Sequence, residues 1–463
     1  METSSRISRY SPICRHPQPG LIDEYEGSVN AGEPAGTTGG NKYLVRVSMS
    51  GTLPRGPTLG AMRPLTSVLV PPGPAGLTAL LDPLRMALTG AGPAITPLPM
   101  VSPTISTEYV GRLRAASLPD DVSQPLESDE VAVVLATSGS MGQPKGVLLT
   151  AAGLTALDGV VNGANAQWIA ALPLHSMGGF NVAVRALASD RDPIALASLG
   201  GAQPFTSAVF ADAVERANGA QVHVSLVAAQ LRRLLADELG IAALKACELV
   251  LIGAGPLAAS TRAIALENEV HLVTSYGMTE TSGGCVFDGR PLLGVQVETA
   301  SESSGTLVIS GPMLATGYRL QPKLTKLHFT AAGFITSDHG SVDAEGFVTI
   351  LGRADDVINI NGVNVSAGAV EQVIGDINEV TAVLVLSIAG PSEENALVAA
   401  VETSSTSTIE SVVKTTVQQR LGLAAVPCHV IVQTELPMLP NGKVDREVLR
   451  MIATQSGRLP WQR

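Results

Sequence analysis

The sequence predicts an α/β protein with a large N-terminal domain of mixed or parallel sheets layered with helices, followed by a small α+β C-terminal domain. Three observations predict it. The 463 residues exceed what one simple hydrophobic core organises, so two or more domains are expected. Short apolar runs alternate with segments of helical spacing, the pattern of strands covered on both faces. With 45% hydrophobic and 15% charged residues, the composition is that of a packed chain and excludes a disordered one.

In chain order, residues 1–75 are rich in Ser, Pro and Gly, with a flexible linker at 36–40, and are expected to form a loosely ordered extension. The large domain is placed at 76–352. It opens with LTALLDPLRMAL at 77–88, whose helical spacing is interrupted by Pro83, so a broken or short helix is expected. The apolar run 131–136 reads as a strand and 147–149 as another, with Thr150 capping a helix through about residue 161. Further strands are expected at 221–227, 248–252 and 270–274, and helices at 228–239 and 257–266. Over 353–463 the alternation repeats on a smaller scale, with strands near 380–387, 396–401 and 429–433 and a helix near 409–421. No internal repeat recurs at a fixed period.

A formal net charge of −11, without any Lys/Arg cluster, argues against nucleic-acid binding, which needs a basic surface to displace counterions. The cysteines Cys14, Cys247, Cys285 and Cys428 are far apart and form no CxxC pair, so they read as small apolar fillers in a reducing compartment. No apolar run reaches the length of a membrane span, and residues 1–20 hold no apolar signal core. A cytoplasmic protein without stable membrane insertion is expected, with a homo-oligomer left open.

Chemistry concentrates first at 137–146, TSGSMGQPKG, directly after the 131–136 strand. Gly139, Gly142 and Gly146 let the backbone bring N–H groups close to an anion, while Thr137, Ser138 and Ser140 add hydroxyl donors and Lys145 adds charge. That is a phosphate cradle, although its spacing is not that of a Walker loop; an ordinary glycine-rich hairpin loop is the alternative. The order resembles T-S-G-S-T-G-x-P-K-G, the signature of the adenylate-forming superfamily of acyl-CoA synthetases, luciferases and peptide-synthetase adenylation domains. Met141 stands where that family has Thr.

The resemblance continues along the chain. TSYGMTE at 274–280, expected just after a strand, matches the family's Y-G-x-T-E. It implies Tyr276 and Gly277 beside an adenine, Thr279 at the α-phosphate and Glu280 holding Mg²⁺, roles that suit an aromatic face and a hard oxygen ligand. Taken alone, Glu280 reads as a solvated surface carboxylate. Ala254, Gly255 and Pro256 resemble the family's turn beside the adenine, and equally a simple strand-ending turn. GTLVISGPMLATGY at 305–318 resembles a strand-and-turn element with a structural role. FITSD at 334–338 resembles W-x-x-T-G-D, one residue shorter and with Ser337 for Gly, which implies an altered turn. Asp338 would accept hydrogen bonds from both ribose hydroxyls. GRADDVI at 352–358 matches G-R-x-D-D-x-I, implying that Arg353 reaches ribose or phosphate and that Asp355 is the hinge of a mobile small domain at 353–463. PMLPNGKVDR at 437–446 resembles P-x-x-x-x-G-K-x-x-R, which makes Lys443 the catalytic lysine of adenylation.

LPLHSMGGFNVAVR at 172–185 looks like the L-P-x-H-H-x-x-G-x-x-x-x-x-R stretch of the o-succinylbenzoate-CoA ligases, the menaquinone-pathway branch of the superfamily, with Ser176 replacing the second histidine. GGCVFDGRPLLG at 283–294 resembles the short form of the same ligases. The resemblance implies an ATP-dependent acid-CoA ligase that works through an acyl-adenylate, with Mg²⁺ as cofactor and ATP, CoA and a small carboxylic acid as substrates. An acid with two carboxylates calls for a buried cation, and Arg185 is the candidate, with His175 lining the same pocket. Alternatives stay open: Arg185 on a helix surface or paired with Asp190 or Asp192, His175 as a satisfied core residue, a ligase for another aryl or medium-chain acid, or a nucleotide-binding relative without chemistry.

Overall fold

The β-branched and leucine-rich runs of the first half assemble into a five-stranded sheet in the order Leu65–Val70, Ala94–Pro99, Val131–Thr137, Lys145–Thr150 and Gly317–Tyr318. This is a computed structural model, and it describes residues 63–462 apart from 119–124, 138–143, 163–164, 301–304, 354–356, 361–362, 392–394, 405–407 and 439–443. The first three strands are parallel. Val131–Thr137 and Lys145–Thr150 are antiparallel neighbours, with Thr137 opposite Lys145.

A second sheet of seven strands runs Arg290–Pro291, Gly283–Phe287, Leu272–Met278, Cys247–Gly253, Gln221–Val227, Ala166–Ala170 and Ile194–Ala195. From Leu272–Met278 to Ile194–Ala195 every pairing is parallel. The helices Pro74–Thr89 and Met177–Ala188 share one core with both sheets: Leu80, Leu84, Phe180 and Val184 pack with Val133 and Val147 of the first sheet and Trp168 of the second. Helix Met177–Ala188 is buried along nearly its whole length, its polar Asn181 and Arg185 included. A third, antiparallel sheet orders Gln296–Thr299, Thr306–Ser310, Gly333–Val342 and Phe329–Thr330, with Val348–Arg353 paired to Gly333–Val342.

Beyond residue 357 the chain builds its own cores around the sheet Ala382–Ala389, Asn395–Glu402 and His429–Gln433. The period-two alternation of a strand is explicit here. Leu397, Ala399 and Val401 face helices Ala367–Gly375 and Ile409–Leu421, while Ala396, Val398 and Ala400 face helix Arg446–Gln455. This is the small α+β part expected from the sequence.

Several expectations need correction. Ordered structure begins before residue 75: Leu65–Val70 is a strand and the first helix starts at Pro74. Pro83 does not break that helix, because the buried seam of Leu77, Leu80, Leu84 and Ala87 holds it together against the missing backbone bond. Thr150 does cap, accepting from Gly153 N–H at 2.9 Å, but the helix divides into Ala151–Thr155 and Asp158–Val161. Leu154 and Val161 join one core while Leu157 enters another. The expected helix 228–239 also divides, since Asp237 caps a new helix by accepting from Gly240 N–H at 2.7 Å. Strand Leu272–Met278 outruns its expected end because the hairpin with Gly283–Phe287 extends it.

Candidate nucleotide-binding site

The carboxyl ends of parallel strands are where α/β sheets present ligand groups. Here strands Ala166–Ala170, Cys247–Gly253 and Leu272–Met278 lead into residues 171–176, 254–256 and 279–281, so His175, the Ala254 turn and Glu280 all leave the same edge of the seven-stranded sheet. Ala254 adopts φ 68°, a left-handed conformation that costs an alanine about 1 kcal/mol. Its strand neighbour runs alongside, with Ile252 opposite Thr274.

Two contact chains meet on the Leu272–Met278 strand and the turn that follows it. In the first, the Tyr276 hydroxyl donates to Asp338 Oδ2 at 2.7 Å, and Arg353 Nη1 lies 4.0 Å from Asp338 Oδ1. Burial, then the adjacent Asp338 carboxylate, push the Tyr276 phenol above its ordinary pKa, so it stays a donor. Strand pairing sets this geometry, because Asp338 and Arg353 sit directly opposite one another. The turn expected at Phe334–Asp338 is instead part of strand Gly333–Val342. Ser337 therefore needs no glycine-like backbone.

In the second chain, the Tyr318 hydroxyl donates to Glu280 Oε1 at 2.9 Å, and Lys145 Nζ lies 5.1 Å from the centre of the Tyr318 ring, within cation–π range. Thr137 Oγ1 donates to the Lys145 carbonyl at 3.4 Å. The Glu280 carbonyl accepts from Ala315 N–H at 2.8 Å, fixing the backbone of the carboxylate to the segment that carries Tyr318. Thr279 and Glu280 open a short helical turn, closed by Ser282 in the left-handed region at φ 50°. Gly277 is required here: a Cβ would stand 2.1 Å from the Gly283 carbonyl oxygen across the hairpin. Gly146 is equally constrained, since a Cβ would lie 2.4 Å from the Ala116 carbonyl oxygen.

Thus Thr137, Lys145, Gly146, Tyr276, Gly277, Thr279, Glu280, Asp338 and Arg353 lie on the hairpin, strands and turn that these contacts join, while Ala254, Gly255 and Pro256 follow the neighbouring parallel strand Cys247–Gly253. Ser138, Gly139, Ser140, Gly142, the hinge candidate Asp355 and Lys443 lie outside the described residues. Tyr318 and Arg319 were not singled out from sequence, where 305–318 reads as structural. Arg319 is buried, donates to the Pro125 carbonyl at 2.6 Å and pairs with Glu127 at 3.1 Å, while its backbone N–H bonds the Gly146 carbonyl at 2.7 Å. The only hint was the Gly-Tyr pair at 317–318, since the partners lie tens to hundreds of residues away in sequence.

The two acyl-pocket candidates have separate surroundings. Arg185 is neither on the surface nor paired with Asp190 or Asp192: it is buried, with its guanidinium 5.2 Å from the Trp168 ring centre, and Asp192 pairs with Arg85. Burial lowers the Arg185 pKa to about 10 while Asp158 opposes the shift; Asp158 is itself raised to about 7 by burial. His175 lines a cavity of about 10 Å³ with Val70, Pro99, Ile105 and Leu199. Its Nε2 has no hydrogen-bond partner among the described residues, and burial lowers its pKa to about 4. Arg185 is not among the residues lining that cavity.

Among the described residues no group of three or more His, Cys, Asp or Glu is placed to hold a metal ion. A single carboxylate such as Glu280 suits Mg²⁺ shared with phosphates rather than a protein cage. Among the same residues, no helix is long and apolar enough to cross a membrane.

The model of the AMP-binding enzyme family matches residues 93–319. A probable 2-succinylbenzoate--CoA ligase of Mycobacterium tuberculosis (strain CDC 1551 / Oshkosh) is 35% identical over 389 residues, 82% of this chain and 96% of that protein. Among solved structures, the amide bond synthetase McbA from Marinactinospora thermotolerans superposes with a TM-score of 0.69 at 22% identity, covering 85% of this chain and 91% of its own. The o-succinylbenzoate coenzyme A synthetase MenE from Bacillus subtilis, in complex with ATP and magnesium ion, gives 0.66 at 18% identity, covering 84% and 89%. At these identities the structures establish the fold, with its large N-terminal and small C-terminal parts, and the near full-length sequence relative establishes kinship. The chain belongs to the adenylate-forming family of AMP-binding enzymes.

Proposed function

We propose that this protein is an ATP-dependent acid-CoA ligase that converts 2-succinylbenzoate, ATP and CoA to succinylbenzoyl-CoA, AMP and diphosphate, in the cytoplasm and as a step toward menaquinone. The observation that carries this reading is the meeting of the two contact chains, Thr137–Lys145–Tyr318–Glu280 and Tyr276–Asp338–Arg353, at the end of one strand. The 35% identity to a named ligase over nearly its whole length supports the choice of acid.

In this reading the hydroxyls and amides of 137–146, with Lys145, hold the phosphates. Asp338 takes the ribose hydroxyls, Tyr276 and the 254–256 turn flank the base, and Arg353 reaches ribose or phosphate. Glu280 would hold Mg²⁺, which when bound neutralises phosphate charge. The substrate carboxylate attacks the α-phosphorus in line as the bond to diphosphate breaks, with Thr279 at that phosphate and Lys443 stabilising the charge that gathers there. The domain division at 76–352 and 353–463, with a hinge at Asp355, then withdraws Lys443 and admits the CoA thiol, whose sulfur bonds to the acyl carbon as the carbon–oxygen bond to AMP breaks and the thiol proton is lost.

Arg185 favours an acid with a second carboxylate. A buried guanidinium opposed by the charge of Asp158, a carboxyl itself raised to about 7, is under-compensated near neutrality, and an incoming carboxylate would complete its pairing. His175 would line the acyl side. The test is CoA-thioester formation, followed by mass, across 2-succinylbenzoate, benzoate and medium-chain acids. The reading predicts product with 2-succinylbenzoate far above the monocarboxylates. Equal or better turnover of a monocarboxylate would instead make the protein a ligase for another aryl or medium-chain acid.

A further inference from the structure

Tyr318 is 2% exposed and its ring is held on several sides. Phe329 packs edge-on at 5.5 Å between centres, His328 at 6.1 Å, and the Tyr318 backbone N–H donates to Thr325 Oγ1 at 2.9 Å. The polar end of this fixed ring reaches Glu280 Oε1 at 2.9 Å, and its face receives Lys145 Nζ at 5.1 Å. One buried side chain therefore stands between Lys145 and the one carboxylate of the turn at 279–281.

The chemistry of that spacing is specific. A direct Lys145–Glu280 ion pair would neutralise both groups and leave neither to serve a nucleotide and its cation. A phenol in between satisfies the carboxylate with a neutral donor and the ammonium with a ring quadrupole, so each keeps its charge.

We infer that Tyr318 is a positioning residue for metal-bound nucleotide, aiming Glu280 at the cation while keeping Lys145 free for phosphate. The inference rests on the reading that Glu280 is the Mg²⁺ ligand of an ATP site. A role confined to packing would not distinguish ATP with Mg²⁺ from ATP without it; a role in aiming Glu280 would.

The experiment is calorimetric titration of ATP into the full-length protein and its Tyr318→Phe variant, across a Mg²⁺ series and in a chelator, beside thermal melts of both. The variant keeps the ring and removes the hydroxyl. The Mg²⁺ concentration giving half-maximal tightening of ATP binding should rise on the order of tenfold, the effect of losing one hydrogen bond to a charged group. ATP binding in chelator and the melting temperature should stay close to wild type. An unchanged Mg²⁺ midpoint overturns the inference, as does a parallel loss with and without Mg²⁺, which marks a packing role alone. If wild-type ATP binding ignores Mg²⁺, the underlying reading of Glu280 fails instead, and the two failures are distinguishable in the same titrations.

Discussion

At the scale of single residues, the molecule keeps several ionisable groups in states that water would not favour. Burial, followed by the charge of Arg185, lowers the His223 pKa from 6.5 to about 4, and its Nδ1 has no hydrogen-bond partner among the described residues; its ring meets Trp168 edge-on at 5.2 Å. Between these values the unfolded chain binds a proton that the folded chain refuses, so the contribution of His223 to stability falls as pH drops from 6.5 toward 4. Asp158 works in the opposite sense. Raised from 3.8 to about 7, it holds its proton in the fold, and its contribution falls as pH rises through that window. Denaturant titrations at about pH 5 and about pH 7.5 should show that His223→Gln removes roughly 2 kcal/mol of the acid-side loss. An identical pH dependence in wild type and variant would mean that the imidazole is protonated or solvated in the native state.

At the scale of elements, the hairpin of Leu272–Met278 and Gly283–Phe287 holds the proposed chemistry, and glycine is what lets its strands approach. A Cβ on Gly284 would stand 1.9 Å from Ser275 Oγ and 3.3 Å from Ser275 Cβ. Gly284→Ala should therefore destabilise the fold by about 1–3 kcal/mol, the range for overpacking, and adding Ser275→Ala should recover most of that loss by removing the clashing oxygen. Melts of the single and double variants decide it, because additive losses would show that the two positions do not press on each other. These elements also mark what a sequence can and cannot reveal. The strands Gln221–Val227 and His429–Gln433 and the helix Ile409–Leu421 were legible to the residue, since local pattern and tertiary demand agree there. Pro83 and the strand ending at Met278 misled because a buried seam or a partner strand overruled the local signal. Asp338 was read in a turn because its partners Tyr276 and Arg353 are distant in sequence.

At the scale of the whole molecule, three sheets contribute separate parts of one proposed site. The first supplies the hairpin with Thr137 and Lys145, the second supplies Tyr276 and Glu280, and the third supplies Asp338 and Arg353. Sequence motifs announced the order of these parts but not the contacts that join them, above all Tyr318, whose hydroxyl partner is 38 residues away. The burial of Arg185 was expected from the resemblance, as a cation for a second carboxylate, but its surroundings, the Trp168 ring and Asp158, were not legible because both lie more than fifteen residues away in sequence. The small C-terminal part has cores of its own on both faces of its sheet, which is the construction needed if it is to move as a unit about Asp355.

The central claim is that these parts serve adenylation of an acid, and isotope exchange between diphosphate and ATP in the absence of CoA tests it most directly. The account predicts exchange that depends on 2-succinylbenzoate and on Mg²⁺. Tight ATP binding with no exchange in the presence of the acid would contradict it and leave a nucleotide-binding protein without this chemistry.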